Sequence, residues 1–194
     1  MRSIDMSELE AMVKKMENGK TLGLDGFTTN LFHACWDMVK DEVLAIVKDS
    51  RRTGKVLTIF NSTFITLIPK ENGEKPPCKF RPITLCNVSY KIITKLIANR
   101  LKALLPMLVS PEQVGFVEGR QILLIAHEVI HSLKVTKYLR MLIKMDLSKS
   151  YDKLNWNFME NMLQAFGFNN QWVPWVINLS SLAFFLILVN GTPS

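Results

Sequence analysis

The sequence predicts an α+β fold, rich in helix, with a small antiparallel sheet. Three observations predict it. Apolar residues recur at helical spacing through long segments, as in Leu31, Cys35, Met38, Val39, Val43 and Ile46, and again in Ile92, Ile93, Leu96, Ile97 and Leu101. Two short runs rich in β-branched and aromatic residues, 63–68 and 80–85, flank a loop holding Asn72, Gly73, Pro76 and Pro77. A last apolar run, 182–189, is followed at once by Asn190-Gly191, a hairpin-turn dipeptide.

The elements follow in order. A helix is expected over 7–17, with Ser7 and Glu10 at capping-box spacing and Gly19 as its stop. Gly23, Asp25 and Gly26 mark a loop over 22–29. A second helix is expected over 30–52, ended by Gly54. The strand at 63–68 closes at Pro69, and 80–85 returns beside it. Pro82 needs an edge position there, or a point where its missing donor is not required. A long basic helix is expected over 88–105, with Lys91, Lys95, Asn99, Arg100 and Lys102 mostly off its apolar face. A Gly-bearing connection over 111–120 leads to a helix over 121–135, then to a strand over 139–145 that ends in Asp146. Asn155 is placed to cap a helix running to Phe166, with Gly167 beyond it. A helix over 169–179 tolerates Pro174 near its start, and a strand over 183–189 completes the pattern. That strand is expected to lack its returning partner, which reads as a truncated chain.

The chain has 194 residues, enough for one domain or part of a larger one. Lys and Arg outnumber Asp and Glu by 24 to 17, giving a pI near 9.4, and this balance favours polyanionic partners. Cys35, Cys78 and Cys86 fit no zinc spacing, and an odd number argues against a disulfide framework or a disulfide-linked partner. Thiols of this kind belong in a reducing, intracellular compartment, cytoplasmic or nuclear. The opening residues hold no apolar signal region, and the longest apolar run is too short to span a bilayer, so no membrane partner is expected.

The chemistry centres on the stretch from Ile143 to Asp152, where an apolar strand delivers Asp146 to its end before a turn. A carboxylate at a sheet rim can meet a cation. Taken alone, the pattern fits an aspartate capping the next turn through Ser148 better. His127 and His131 sit four apart on an expected helix with no Glu in the metalloprotease position, and read as ordinary helix residues.

The wider pattern changes that weight. Lys20 to Phe27, Phe64 to Lys70, Phe80 to Ile93 with Ala98 to Lys102, Gln113 to Arg120, Asp146 to Trp156, and Val189 to Gly191 resemble, in order, six blocks of the reverse transcriptases of non-long-terminal-repeat retrotransposons. The style resembles that of elements common in plant genomes. The resemblance implies a truncated right-hand polymerase: a fingers-like region over 1–137 holding a β-hairpin, and the start of an antiparallel palm sheet from 138. It implies RNA-directed DNA synthesis from deoxynucleoside triphosphates on an RNA template with a DNA primer, using two Mg2+ or Mn2+ ions.

Residue by residue, Asp146 matches the first metal-binding aspartate and the carbonyl of Leu147 a backbone ligand. Tyr151 matches the aromatic residue that excludes a ribose 2′-hydroxyl; its plain reading is a half-buried core tyrosine. Arg81 matches the arginine that meets the triphosphate, and a guanidinium fork suits phosphate oxygens. Lys70 is the second cation, or a solvated hairpin lysine. Gln113 and Arg120 match positions near template and primer, although Arg120 also suits pairing with a carboxylate inside the fold. Lys95 and Arg100 lie on a basic face that either tracks a nucleic-acid backbone or is simply wet.

The sequence also departs from the family. Leu24 stands where proline is usual and Ser150 where alanine is common, and about three residues are missing after Ile122. The second palm motif and the Tyr-Ala-Asp-Asp-type motif are absent, so one carboxylate of the three is present and no tight metal binding is expected. The isolated chain is therefore expected to be inactive. The competing readings are a non-catalytic RNA- or heteroduplex-binding remnant and a partly folded fragment without function.

Overall fold

The structure is a computed structural model that describes residues 2–19, 22–71, 73, 76, 79–111, 113, 115, 117–120, 129–133, 135, 153–189 and 192–193. Helix α1 (Met6–Lys14) is capped by Asp5, not Ser7. The Asp5 carboxylate accepts the Glu8 N–H at 2.8 Å, and the Ser7 hydroxyl donates to it at 2.7 Å. A carboxylate both satisfies an orphan N–H and complements the positive end of the helix, so Asp5 displaces the expected cap. These two hydrogen bonds hold its carboxyl below the usual range.

The helix expected over 30–52 is two helices. In α2 (Thr29–Ala34) the Thr28 hydroxyl accepts the Leu31 N–H at 3.3 Å, and α3 (Trp36–Thr53) follows after a break at Cys35. No glycine or proline marks that break. Gly54 closes α3 at φ 67, the left-handed conformation its position predicts. A short α4 (Thr58–Asn61) leads into β1 (Ser62–Pro69), which pairs antiparallel with β2 (Phe80–Cys86). Among the described residues β2 is an edge strand, a position where the missing N–H of Pro82 is tolerated. The basic helix is α5 (Val88–Lys102), shorter than expected and followed by α6 (Leu105–Leu108).

Residues 129–133 are helical, within the helix expected over 121–135. Asn155 caps α7 (Trp156–Ala165) by accepting the N–H groups of Asn157 and Phe158. The Asn169 side chain does the same for Gln171 and Trp172 at the start of α8 (Trp172–Ser181). The chain ends in β3 (Phe184–Val189) and β4 (Thr192–Pro193). The strand expected over 139–145, Cys78, His127 and the turn at 190–191 lie outside the described residues.

The sheet order is β2-β1-β3-β4, and β3 runs parallel to β1, with Ser62 opposite Phe184 and Ile65 opposite Ile187. The sheet is therefore mixed, where the sequence predicted only antiparallel pairing. Parallel neighbours require a crossover, and the path from α5 through α8 supplies it. β3 is also not the unpartnered strand that was expected, since β1 takes one edge and β4 the other. Residues on both sides of the expected 137/138 divide share this sheet and one core, because Trp172, Val173, Trp175 and Leu179 pack with Val43, Val47, Ile92 and Ile93.

Helix α5 is the hub of that core. Ile92 and Ile93 are fully buried, and each such side chain contributes about 1.5–3 kcal/mol of burial free energy. Polar ties fix the neighbouring elements around it. The Tyr90 hydroxyl donates to the Leu179 carbonyl at 2.5 Å. Between α3 and α8, the buried Trp175 indole N–H donates to the Ser50 hydroxyl at 2.8 Å. The Asn61 amide donates to the Leu182 carbonyl at 2.8 Å, joining α4 to the end of α8.

At the head of α5 the Asn87 side chain, 1% exposed, serves two other segments rather than capping its own helix. Its Nδ2 donates to the Ile59 carbonyl at 2.9 Å, and its Oδ1 accepts the Asp25 N–H at 3.2 Å. Gly23 sits directly against it. A Cβ at 23 would lie 2.5 Å from the Asn87 nitrogen and 2.6 Å from its Cα, where no side chain fits. Asn87→Ala is expected to lower the unfolding free energy by about 1–3 kcal/mol in urea titration, because it leaves buried partners unsatisfied. Gly23→Ala is expected to destabilise as well; a chain with alanine there as stable as the original would show that the loop does not rest on Asn87.

Burial, with a smaller push from Cys86, raises the Tyr90 phenol from its ordinary value to about 12. The folded chain therefore keeps this proton when the unfolded chain has lost it. Its contribution is complete below the ordinary phenol pKa near 10 and is lost as pH rises toward about 12. Urea midpoints measured across that window are expected to fall more steeply for the original chain than for Tyr90→Phe, and equal slopes would contradict the assignment.

Candidate functional site

The β1–β2 hairpin carries the residues expected to meet a triphosphate. Arg81 lies opposite Ile68 in the register, and beyond the strand ends the Lys70 N–H donates to the Lys79 carbonyl at 3.0 Å. Ile68 and Arg81, opposite each other, share one face of the ribbon, and the Lys70–Lys79 hydrogen bond carries the pairing one step past the strand ends. Lys70, Lys79 and Arg81 are all exposed. Three cations and the exposed Glu71 stand at this end of the two-stranded ribbon, a set with net positive charge. Sequence reasoning named Lys70 and Arg81 but missed Lys79. Its place follows from the register across the loop, which residue spacing alone does not give.

Gln113 is exposed on the connection after α6, and its N–H donates to the Ser110 carbonyl at 3.0 Å. Arg120 was expected near nucleic acid, or paired with a carboxylate. Its hydrogen-bond partners among the described residues are backbone carbonyls rather than a carboxylate. Its guanidinium donates to the carbonyls of Ser110 and Gln113 at 2.6 and 2.9 Å, and to those of Pro106 and Val109 at 3.1 and 3.2 Å.

The basic face of α5 is thinner than the sequence predicts. Arg100 turns inward. Its Nε and Nη2 hold the two oxygens of Glu8 at 2.9 and 2.6 Å, and Nη1 and Nη2 donate to the carbonyls of Arg2 and Ser3 at 2.9 Å each. With the two side chains 12% and 22% exposed, this fork ties the N-terminal segment to α5, and the Glu8 hydrogen bond raises the Arg100 pKa further. The expected nucleic-acid role for Arg100 gives way to a structural one. Lys102 pairs with Glu118 at 3.2 Å. Lys95 remains exposed on the helix surface.

Asp146, Leu147 and Tyr151 lie outside the described residues. Among the described residues, no group of three or more His, Cys, Asp or Glu side chains is placed to hold a metal ion. Cys35 and Cys86 are free thiols, half-buried. No described helix is long and apolar enough to cross a membrane.

Residues 68–193 match the family described as reverse transcriptase (RNA-dependent DNA polymerase). The chain belongs to the reverse transcriptase family. The match takes in the hairpin cations, the Gln113–Arg120 connection and the segment of Asp146. Over 190 residues, 96% of its length, this reverse transcriptase chain is 26% identical to the Transposon TX1 uncharacterized 149 kDa protein of Xenopus laevis. Over 117 residues, 59% of its length, it is 26% identical to the retrovirus-related Pol polyprotein from type-1 retrotransposable element R2 of Popillia japonica. It spans 14% and 16% of those two proteins. These similarities identify a reverse transcriptase domain of the non-long-terminal-repeat retrotransposon type. The plant-like style of the blocks finds no counterpart in these two relatives.

Proposed function

We propose that this chain is the substrate-holding part of an RNA-directed DNA polymerase: a fingers-like region over 1–137 and the beginning of a palm from 138. Its substrates are deoxynucleoside triphosphates, an RNA template and a DNA primer, and its setting is intracellular. The observation that carries the reading is the exposure of Lys70, Lys79 and Arg81 together at one end of the hairpin. Phosphoryl transfer depends on positioning and on neutralising phosphate charge, with little covalent chemistry left to the protein. A guanidinium fork meets two phosphate oxygens at once, and flanking ammonium groups add charge without demanding a fixed geometry.

Asp146 and the carbonyl of Leu147 are the groups we assign to a divalent ion, Mg2+ or Mn2+, which when bound neutralises and aligns the triphosphate. Tyr151 would close on the sugar and exclude a 2′-hydroxyl. Gln113 and Lys95 face the template–primer. One carboxylate of the family's three lies within these 194 residues, so the chain by itself holds substrate without completing a catalytic centre.

Two measurements on the 194-residue chain test this. An RNA–DNA heteroduplex is expected to bind with an affinity that falls as salt rises. Primer extension on an RNA template, with Mg2+ or Mn2+, is expected to give no product. Absence of heteroduplex binding would remove the polymerase reading. Incorporation that Asp146→Ala abolishes would show a complete centre where an incomplete one is proposed.

A further inference from the structure

We infer that Arg120 is a positioning residue: it clamps the connection from Pro106 to Gly119 by its backbone and presents Gln113 to nucleic acid without touching nucleic acid itself. The inference rests on the polymerase reading above and refines it. Its geometry is that of a cage. One guanidinium collects four carbonyls, those of Pro106, Val109, Ser110 and Gln113, at 2.6–3.2 Å. A planar fork with donors on two nitrogens can serve acceptors on both sides at once, whereas an ammonium group of the same charge offers all its donors from one point.

The connection needs such a clamp. Among its described residues, beyond the short α6, the backbone makes turn bonds such as Gln113 N–H to Ser110 carbonyl at 3.0 Å and Arg120 N–H to Val117 carbonyl at 3.4 Å. Val117, 6% exposed, anchors one point, and the Lys102–Glu118 ion pair ties the far end to α5. Within this frame the Gln113 carbonyl is gripped from inside while its side chain stays on the surface. A side chain held this way meets its ligand with less ordering left to do, which favours binding without adding a contact.

Arg120→Lys is the informative variant, because it keeps the charge and loses the fork; Arg120→Gln loses both. Amide hydrogen exchange is expected to rise over 106–120 in both variants and to stay unchanged in α5. Heteroduplex binding is expected to weaken on the order of tenfold in both. The dependence of log affinity on log salt is expected to keep its original slope. A direct phosphate contact would behave otherwise: lysine would restore binding, and glutamine would lower the slope by about one. Either of those results overturns the inference, as does loss of protection in α5, which would make Arg120 a general stability residue. If the unaltered chain does not bind heteroduplex, the polymerase reading falls and the presentation of Gln113 falls with it, while the exchange data still decide the clamp.

Discussion

The Asn87 amide fixes how three distant segments meet. It stands at the join of β2 and α5, accepts a backbone N–H from the loop at Asp25, and donates to the backbone at Ile59, just before β1. The hairpin leaves the body of the molecule between those two points. Asn87 and the glycine pressed against it hold both roots of the hairpin, and the pairing of β1 with β3 holds its first half. An amide suits this post because it donates and accepts together, so neither neighbouring backbone group is left unsatisfied when water is excluded. Whatever the far end of the hairpin binds, its aim depends on that join.

The basic residues divide sharply by what they touch. Arg100 and Arg120 look on paper like the same kind of residue as Arg81, yet both are engaged with the protein's own oxygens. Arg100 fastens Glu8 and the N-terminal segment to α5; Arg120 fastens a connection to itself. A formal excess of positive charge thus overstates what is open to a polyanion. Lys70, Lys79 and Arg81 are exposed on the hairpin, and Lys15, Lys48, Lys55, Lys95 and Lys153 are exposed elsewhere on the described surface. Charge count alone pointed to nucleic acid, but the arrangement of the three on the hairpin is what favours phosphate.

Much of the fold was legible because it is written in local chemistry. Gly54 stops α3, Asn155 caps α7, and Pro82 sits on an edge strand, each for a reason visible in the residue itself. What was not legible depends on long-range partners. The break at Cys35 carries no breaker residue. The cap falls at Asp5 rather than Ser7, although both have a Glu three residues on and the spacing alone does not choose between them. The parallel pairing of β3 with β1 joins residues more than a hundred apart in sequence, and no periodicity records it. The site shows the same split. Motif order singled out Arg81 and Lys70 as candidates, the register set Lys79 beside them, and only side-chain geometry revealed that Arg100 and Arg120 grip the protein's own oxygens.

The hairpin's role in holding a triphosphate is the claim on which the functional account turns, and binding of a fluorescent deoxynucleoside triphosphate tests it most directly. The account predicts that affinity falls from triphosphate to diphosphate to monophosphate, that Arg81→Ala removes most of this preference, and that Lys79→Ala weakens it further than an isolated surface lysine would. Equal affinity for the three nucleotides, or a preference untouched by Arg81→Ala, would contradict it.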